Sequence, residues 1–422
     1  MHEKVESRPL PAHPRQRFWW IIGPGLLSGT SGNDPSAITA YAEDGAMVGY
    51  GHLWLILLST LFYQAVQFAC AKIGRISQKG LPSLLREHYG RPIAVFVSFL
   101  LIITNVTLIG ADLAATGSGL QLITGISYVW FVVPTGMVLW YLTVYYNFEA
   151  FKKIFLFLSL VFIAYILTSF VSHVNWKAVL VDTCTPHFDF TFTSISTAVA
   201  LLGATISPYS MFWQTQGEIE QRRFGSLKQQ VHTAKIDVAS GTVSGNLVTY
   251  FIVISTSATL YAHHITITTA AEAARALEPL VGPLAGYLFA LGLIGSGLVA
   301  IPVLLVSTSH AVVGAIDWTS GLSKCLSQAK VFYSILTSVL VAGMGIALVE
   351  IDPIHLIFWA NVIAAIMAPP LVIAILLIGN NRKIMKGQSL SLLNNIGLVL
   401  IILILISAVA LLLYSMAMGQ SN

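Results

Sequence analysis

An acid in the middle of an apolar run is the feature of this chain best placed to do chemistry. The segment Gly29-Thr30-Ser31-Gly32-Asn33-Asp34-Pro35-Ser36-Ala37 interrupts a stretch long enough to cross a bilayer. Proline inside a helix has no N–H to donate and clashes with the preceding turn. It also pushes the residue before it, here Asp34, out of helical dihedrals. Gly29 and Gly32 loosen the same turn. The sequence therefore predicts an unwound turn whose free carbonyls lie beside a carboxylate. Such backbone is tolerated at membrane depth only where it lines a protein cavity. Insertion scales put the cost of an acid there at about 2.5–3.5 kcal/mol, so its presence is a functional hypothesis by default. Carboxylate and carbonyl oxygens together make a cation cage. The plainer reading is that Asp34 caps the second half-helix, a position Asp favours. The cation reading is preferred.

The device recurs in Gly203-Ala204-Thr205-Ile206-Ser207-Pro208-Tyr209, where small residues again meet a mid-span proline. The second break falls five spans after the first, so it lies in a helix running the opposite way. That pattern predicts an inverted five-plus-five repeat, with broken first and sixth helices meeting at the midplane.

The elements that must position these breaks are long apolar helices. The 422 residues are 56% hydrophobic and 9% charged, whereas soluble domains are about 25% charged. Eleven runs read as spans, at 18–42, 50–73, 93–116, 128–146, 152–172, 193–217, 230–262, 286–315, 330–350, 354–378 and 394–416. The fold class expected is thus all-α integral membrane. A leader (1–17) precedes the first repeat (18–172). An outer loop (173–192) joins it to the second repeat (193–378), and an inner loop with helix eleven (379–422) follows. With the N-terminus placed in the cytoplasm, twenty Lys and Arg fall inside and only Lys177 and Arg275 outside. This positive-inside split fixes the expected orientation in a plasma (inner) membrane, with the C-terminus outside. Eight acids, including Glu43, Asp44, Asp182 and Asp189, fall outside. They either concentrate cations there or merely complement the positive-inside bias, and both readings stand.

Several classes are excluded. No phosphate loop, nucleophile elbow or His-Glu-x-x-His is present, so neither an enzyme nor a bound cofactor is expected. The polar segments are too short for a nucleotide-hydrolysing domain. The net charge of +4 marks a membrane face and not nucleic-acid binding. Cys70, Cys184 and Cys325 are scattered and suggest no disulfide. The expected partners are a divalent metal ion as cargo and the lipid bilayer; oligomeric state stays open, and a monomer is compatible.

At these residues the chain resembles the Nramp (natural resistance-associated macrophage protein) metal transporters. Gly23-Pro24-Gly25, Asp34-Pro35, Gly49-Tyr50, Leu53-Trp54 and Gly203-Ala204-Thr205 carry the likeness, which covers nearly the whole chain. The resemblance implies a LeuT-like fold and alternating-access transport of a divalent metal. It also implies a metal site at the positions of Asp34, Ala37, Ala204, Thr205, Ser207, Tyr209 and Asn361. Four departures stand out. Asp-Pro-Gly-Asn becomes Asp34-Pro35-Ser36-Ala37, so a metal-binding Asn is Ala37. Met-Pro-His becomes Ser207-Pro208-Tyr209, and the sulfur ligand is gone. A second sixth-helix His appears as Gln214. Asp-Leu-Ala-Glu becomes Asp112-Leu113-Ala114-Ala115, so one acid linked to proton movement is lost.

Thioether sulfur favours softer metals, whereas carboxylate, hydroxyl, carbonyl and water suit magnesium, calcium or manganese. Magnesium keeps several waters and needs only one or two carboxylates. The pattern resembles the Nramp-related magnesium transporter branch. Losing both His and the third-helix Glu removes groups that relay protons near neutral pH. The expectation is therefore uncoupled magnesium transport, with manganese as the other candidate. Membrane potential would drive it with about 4.6 kcal/mol per 100 mV for a divalent ion, twice the single-charge figure. Two alternatives stay open: a proton-coupled manganese or iron importer, and a sodium-coupled amino-acid transporter on the same fold. Asp34 argues against the second, because it would repel a substrate carboxylate.

The remaining candidates carry two readings each. Asp112 is either an ion relay or a buried acid paired with a hydroxyl. Ser36 and Thr205 offer oxygens, but in broken helices such groups often rebond freed carbonyls. Tyr209 either closes the site or packs. Asn361 is read as a satisfied amide between helices. Glu43 and Asp44 either line an outer vestibule or end the first helix. Glu218 and Glu220 are expected to be solvated.

Overall fold

The structure is a computed structural model that describes residues 23–145, 163–171, 174–221, 223–265, 284–318, 326–349 and 353–418. The regular elements among them are helices. The first expected span is two helices, α1 (Pro24–Ser31) and α2 (Pro35–Val48). A 3-10 turn at Gly49–His52 leads into α3 (Leu53–Ser77). A short helix α4 (Leu81–Tyr89) precedes α5 (Arg91–Thr124), and α6 (Val129–Tyr145) follows. Then come α7 (Ile163–Val171) and α8 (Trp176–Cys184). The sixth expected span is again split, into α9 (Phe192–Thr205) and α10 (Pro208–Glu220). The remainder is α11 (Leu227–Thr259), α12 (Leu284–Ile316), α13 (Lys330–Leu348), α14 (Pro353–Asn380) and α15 (Leu392–Ala417).

Both breaks fall where the prolines require them. Pro35 and Pro208 each open the second half-helix, at a position where the missing N–H costs nothing. Eight helical runs among the described residues are long and apolar enough to cross a membrane. The expected leader 1–17 and most of the expected span 152–172 lie outside the described residues. Helix α5 runs eight residues beyond the expected end at 116. It stops only where Gly125 takes φ +75, a left-handed cap that glycine adopts without strain.

Helix α1 lies backbone to backbone on α11. A Cβ on Gly29 would collide with the Gly241 carbonyl, and one on Gly241 with the Gly25 carbonyl. Gly25 and Gly29 on one helix face Gly241 and Gly245 on the other, the small-xxx-small spacing that lets membrane helices approach.

The end of the molecule carrying Arg75 and Arg86 is called here the basic end, the other the acidic end. One expectation fails at the basic end. Glu218 is fully buried, not solvated, and pairs with Arg75 (2.9 Å) and with Arg223. Arg223 also reaches Asp237 at 2.8 Å. Three helices and the turn between α10 and α11 meet there, and the charges must pair because burial strips them of water. Glu220 is also largely buried, 3.5 Å from the His310 imidazole. At the acidic end Asp44 does not line an open vestibule. It is buried, with Oδ1 2.6 Å from His52 Nδ1, and His52 Nε2 is 3.0 Å from the Ser194 hydroxyl. This chain of contacts pins α2 to α9. Glu43 beside it is half-buried.

Candidate functional site

Asp34 occupies the gap between α1 and α2 and is 1% exposed. Its backbone is extended (φ −66, ψ 165), as the following proline demands. Its Oδ1 accepts the Ser36 hydroxyl and the Ala37 amide, both at 2.6 Å. The capping reading is therefore realised through Oδ1. Oδ2 faces the second break, where the Tyr209 hydroxyl lies 3.2 Å away. The same hydroxyl is 2.7 Å from the Ser31 carbonyl, one of the oxygens freed by the unwound turn. Tyr209 thus joins the two broken helices, and it does so by its polar tip as well as by packing.

Ser36 links a second carboxylate to the first. Its amide donates to Asp112 Oδ1 on α5 at 2.9 Å, while its hydroxyl donates to Asp34. Ser36 does not rebond a carbonyl. Asp112 accepts the Ser36 backbone amide, and its Oδ2 has no hydrogen-bond partner among the described residues. Neither acid has a cation within ion-pair distance among those residues. Two buried carboxylates bridged by one serine, without a countercharge, leave a strong demand for positive charge.

The other candidates divide. Ser207 donates to the Ala204 carbonyl at 2.7 Å and the Gly203 carbonyl at 3.3 Å. Its remaining lone pairs stay available at the second break. Thr205 rebonds the Leu201 carbonyl (2.9 Å) and lies 3.5 Å from the Tyr41 hydroxyl. Ala37 contributes its amide to Asp34, and its methyl offers no ligand. The Asn361 amide donates to the Ile357 carbonyl (3.0 Å) and reaches the Ser36 carbonyl at 3.4 Å. It is a satisfied amide that also touches the broken turn. A Cβ on Gly203 would collide with the Asn361 carbonyl, so α9 and α14 approach through their backbones.

Sequence reasoning passed over Asn33. Its side chain donates to the Gly245 carbonyl and accepts from Thr249, both at 3.1 Å, anchoring the unwound turn to α11. Its place beside Asp34 was the available signal. Asp237 was also passed over, although an acid inside a long helix is rare at membrane depth.

The architecture and both breaks can now be set against known proteins. The family model described as natural resistance-associated macrophage protein-like matches residues 25–415. The chain belongs to the Nramp family. This Nramp-family chain is 25% identical over 380 residues to the divalent metal cation transporter MntH of Caldanaerobacter subterraneus, covering 88% of itself and 87% of that protein. It is 28% identical over 302 residues to MntH of Deinococcus radiodurans, covering 68% and 67%. Among solved structures it superposes on the Eremococcus coleocola manganese transporter with a TM-score of 0.80 at 18% identity, covering 98% and 89%. Mhp1, a nucleobase-cation-symport-1 family transporter, follows at a TM-score of 0.62 and 13% identity, covering 93% of each chain. The Nramp chain thus has the LeuT-like fold, and its relatives are transporters and not enzymes.

Proposed function

We propose that this chain carries a hydrated divalent cation, magnesium first and manganese second, by alternating access and without proton coupling. The observation that carries this reading is the pair Asp34 and Asp112. They are buried and bridged by Ser36, and neither has a countercharge among the described residues. Two carboxylates balance one divalent ion, so a proton is not needed to neutralise the loaded site.

The donors around Asp34 support a hard ion. Carboxylate, hydroxyl and carbonyl oxygens come from Asp34, Ser36, Tyr209 and Ser31. Among the described residues neither a thioether nor an imidazole is a hydrogen-bond partner of Asp34, and oxygen donors suit magnesium and manganese. Magnesium is held through a few protein oxygens with waters completing its shell. Manganese stays second because relatives named for divalent metals and a manganese transporter share this architecture. We place the basic end in the cytoplasm, following the charge bias.

The test is flux into liposomes of reconstituted protein, with magnesium and manganese measured side by side and a pH dye inside. Magnesium entry that Asp34→Ala abolishes, without luminal acidification, is the expected result. Manganese entry alone, accompanied by protons, would overturn it in favour of a coupled importer.

A further inference from the structure

Helix α10 carries a polar line from the second break toward the basic end. Ser207 caps the helix, and Gln214 follows seven residues later on the same face, about 10 Å further along at 1.5 Å per residue. Between them the Ser210 hydroxyl donates to the Ser207 carbonyl at 2.7 Å and accepts from Gln67 Nε2 of α3 at 2.7 Å. One turn beyond Gln214 stands Glu218, clamped by Arg75 and Arg223.

Gln214 is 0% exposed, yet neither its Oε1 nor its Nε2 has a hydrogen-bond partner among the described residues. Gln67 is 1% exposed, and its Oε1 is likewise without one. Buried polar atoms left unpaired are costly, and each needs an explanation. A leucine of similar size would fill the place of Gln214 without losing a bond, whereas at Gln67 it would lose the bond to Ser210. The amides are therefore explained by a partner that visits them. A hydrated cation turns the hydrogens of its shell waters outward, so it needs acceptors. The two free Oε1 atoms are acceptors.

We infer that Gln214 and Gln67 form a second station for the cation, gripping its water shell between the Asp34 break and the charged cluster at the basic end. The station fills when α1 and α10 separate at that end. It rests on the proposal that the breaks bind a divalent cation, and it adds that the ion leaves with water still attached. The Glu218 cluster is neutralised by its arginines, so the station is uncharged and releases the ion readily.

The test uses full-length protein in liposomes. Initial manganese and magnesium fluxes are measured against concentration for Gln214→Leu and Gln67→Leu, with melting temperature recorded in parallel. The expected result is at least a tenfold fall in saturating flux, less than a twofold change in half-saturating concentration and, for Gln214→Leu, a melting temperature held or raised. Wild-type saturating flux in a folded Gln214→Leu protein would overturn the station. So would loss of folding in both Gln214→Leu and Gln214→Met, which would show that the amide serves structure alone. An Asp34→Ala control separates the two levels. Normal flux in that control sinks the cation reading of the breaks. Flux lost there but intact in Gln214→Leu sinks only the station.

Discussion

The Asp237 carboxylate accepts the Gly23 amide at 2.8 Å, tying the residue before α1 to the middle of the charged cluster. The same side chain takes the Gly25 amide at 2.9 Å and the Leu26 amide at 3.1 Å. These belong to the donors that a helix N-terminus leaves unsatisfied, and an anion there is further favoured by the helix dipole. Arg223 holds the carboxylate from the other side. Movement of α1 away from α11 at the basic end must break all of these bonds. Asp237→Ala is expected to cost about 3–5 kcal/mol, the usual penalty for stripping one partner from a buried pair. Melting temperature should fall accordingly. A Ser28→Cys probe should also react faster with a thiol reagent from the basic side. Unchanged reactivity would mean that Asp237 does not hold this end closed.

Ser207→Met should shift ion preference. It places a thioether at the second break, where Ser207 now offers a hydroxyl bonded to Ala204. Soft ligands favour soft metals. Cadmium should then compete with manganese flux at least tenfold more strongly than in the parent protein. Equal competition would argue that position 207 does not face the ion.

Tyr209→Phe removes one hydroxyl shared by Ser31 and Asp34. The stability cost should be about 1–2 kcal/mol, typical of a buried hydrogen bond that leaves an acceptor unsatisfied. If the hydroxyl joins the two breaks during transport, saturating flux should fall severalfold as well. A stability loss with full flux would assign Tyr209 to packing.

Gly241→Val should also be damaging. The added side chain meets the backbone of Gly25 and Leu26, which cannot rotate aside. Overpacking of this kind costs about 1–3 kcal/mol or more. Reduced yield of folded protein on size-exclusion chromatography is the expected readout, whereas Gly345→Ala, with nothing within 4 Å, should behave as the parent.

The sequence by itself determined the two breaks, because a proline's missing N–H and its steric demand on Asp34 are local properties of the chain. It also determined the membrane class, because apolar runs and their charged flanks need no partner to be read. It left open what the acids touch. Glu218 reads as solvated from the sequence, with Arg222 and Arg223 following it in the chain. Only the packing of α3 against α10 brings Arg75 from 143 positions away. Asp44 reads from the sequence either as a vestibule acid or as the end of the first helix, and only the fold buries it against His52, with Ser194 beyond. Asp34 and Asp112 are 78 residues apart, and only the fold makes one serine hold both. Hydrogen bonding between distant segments depends on which helix faces which, and that is decided by close approach at residues such as Gly29 and Gly241, not by local pattern.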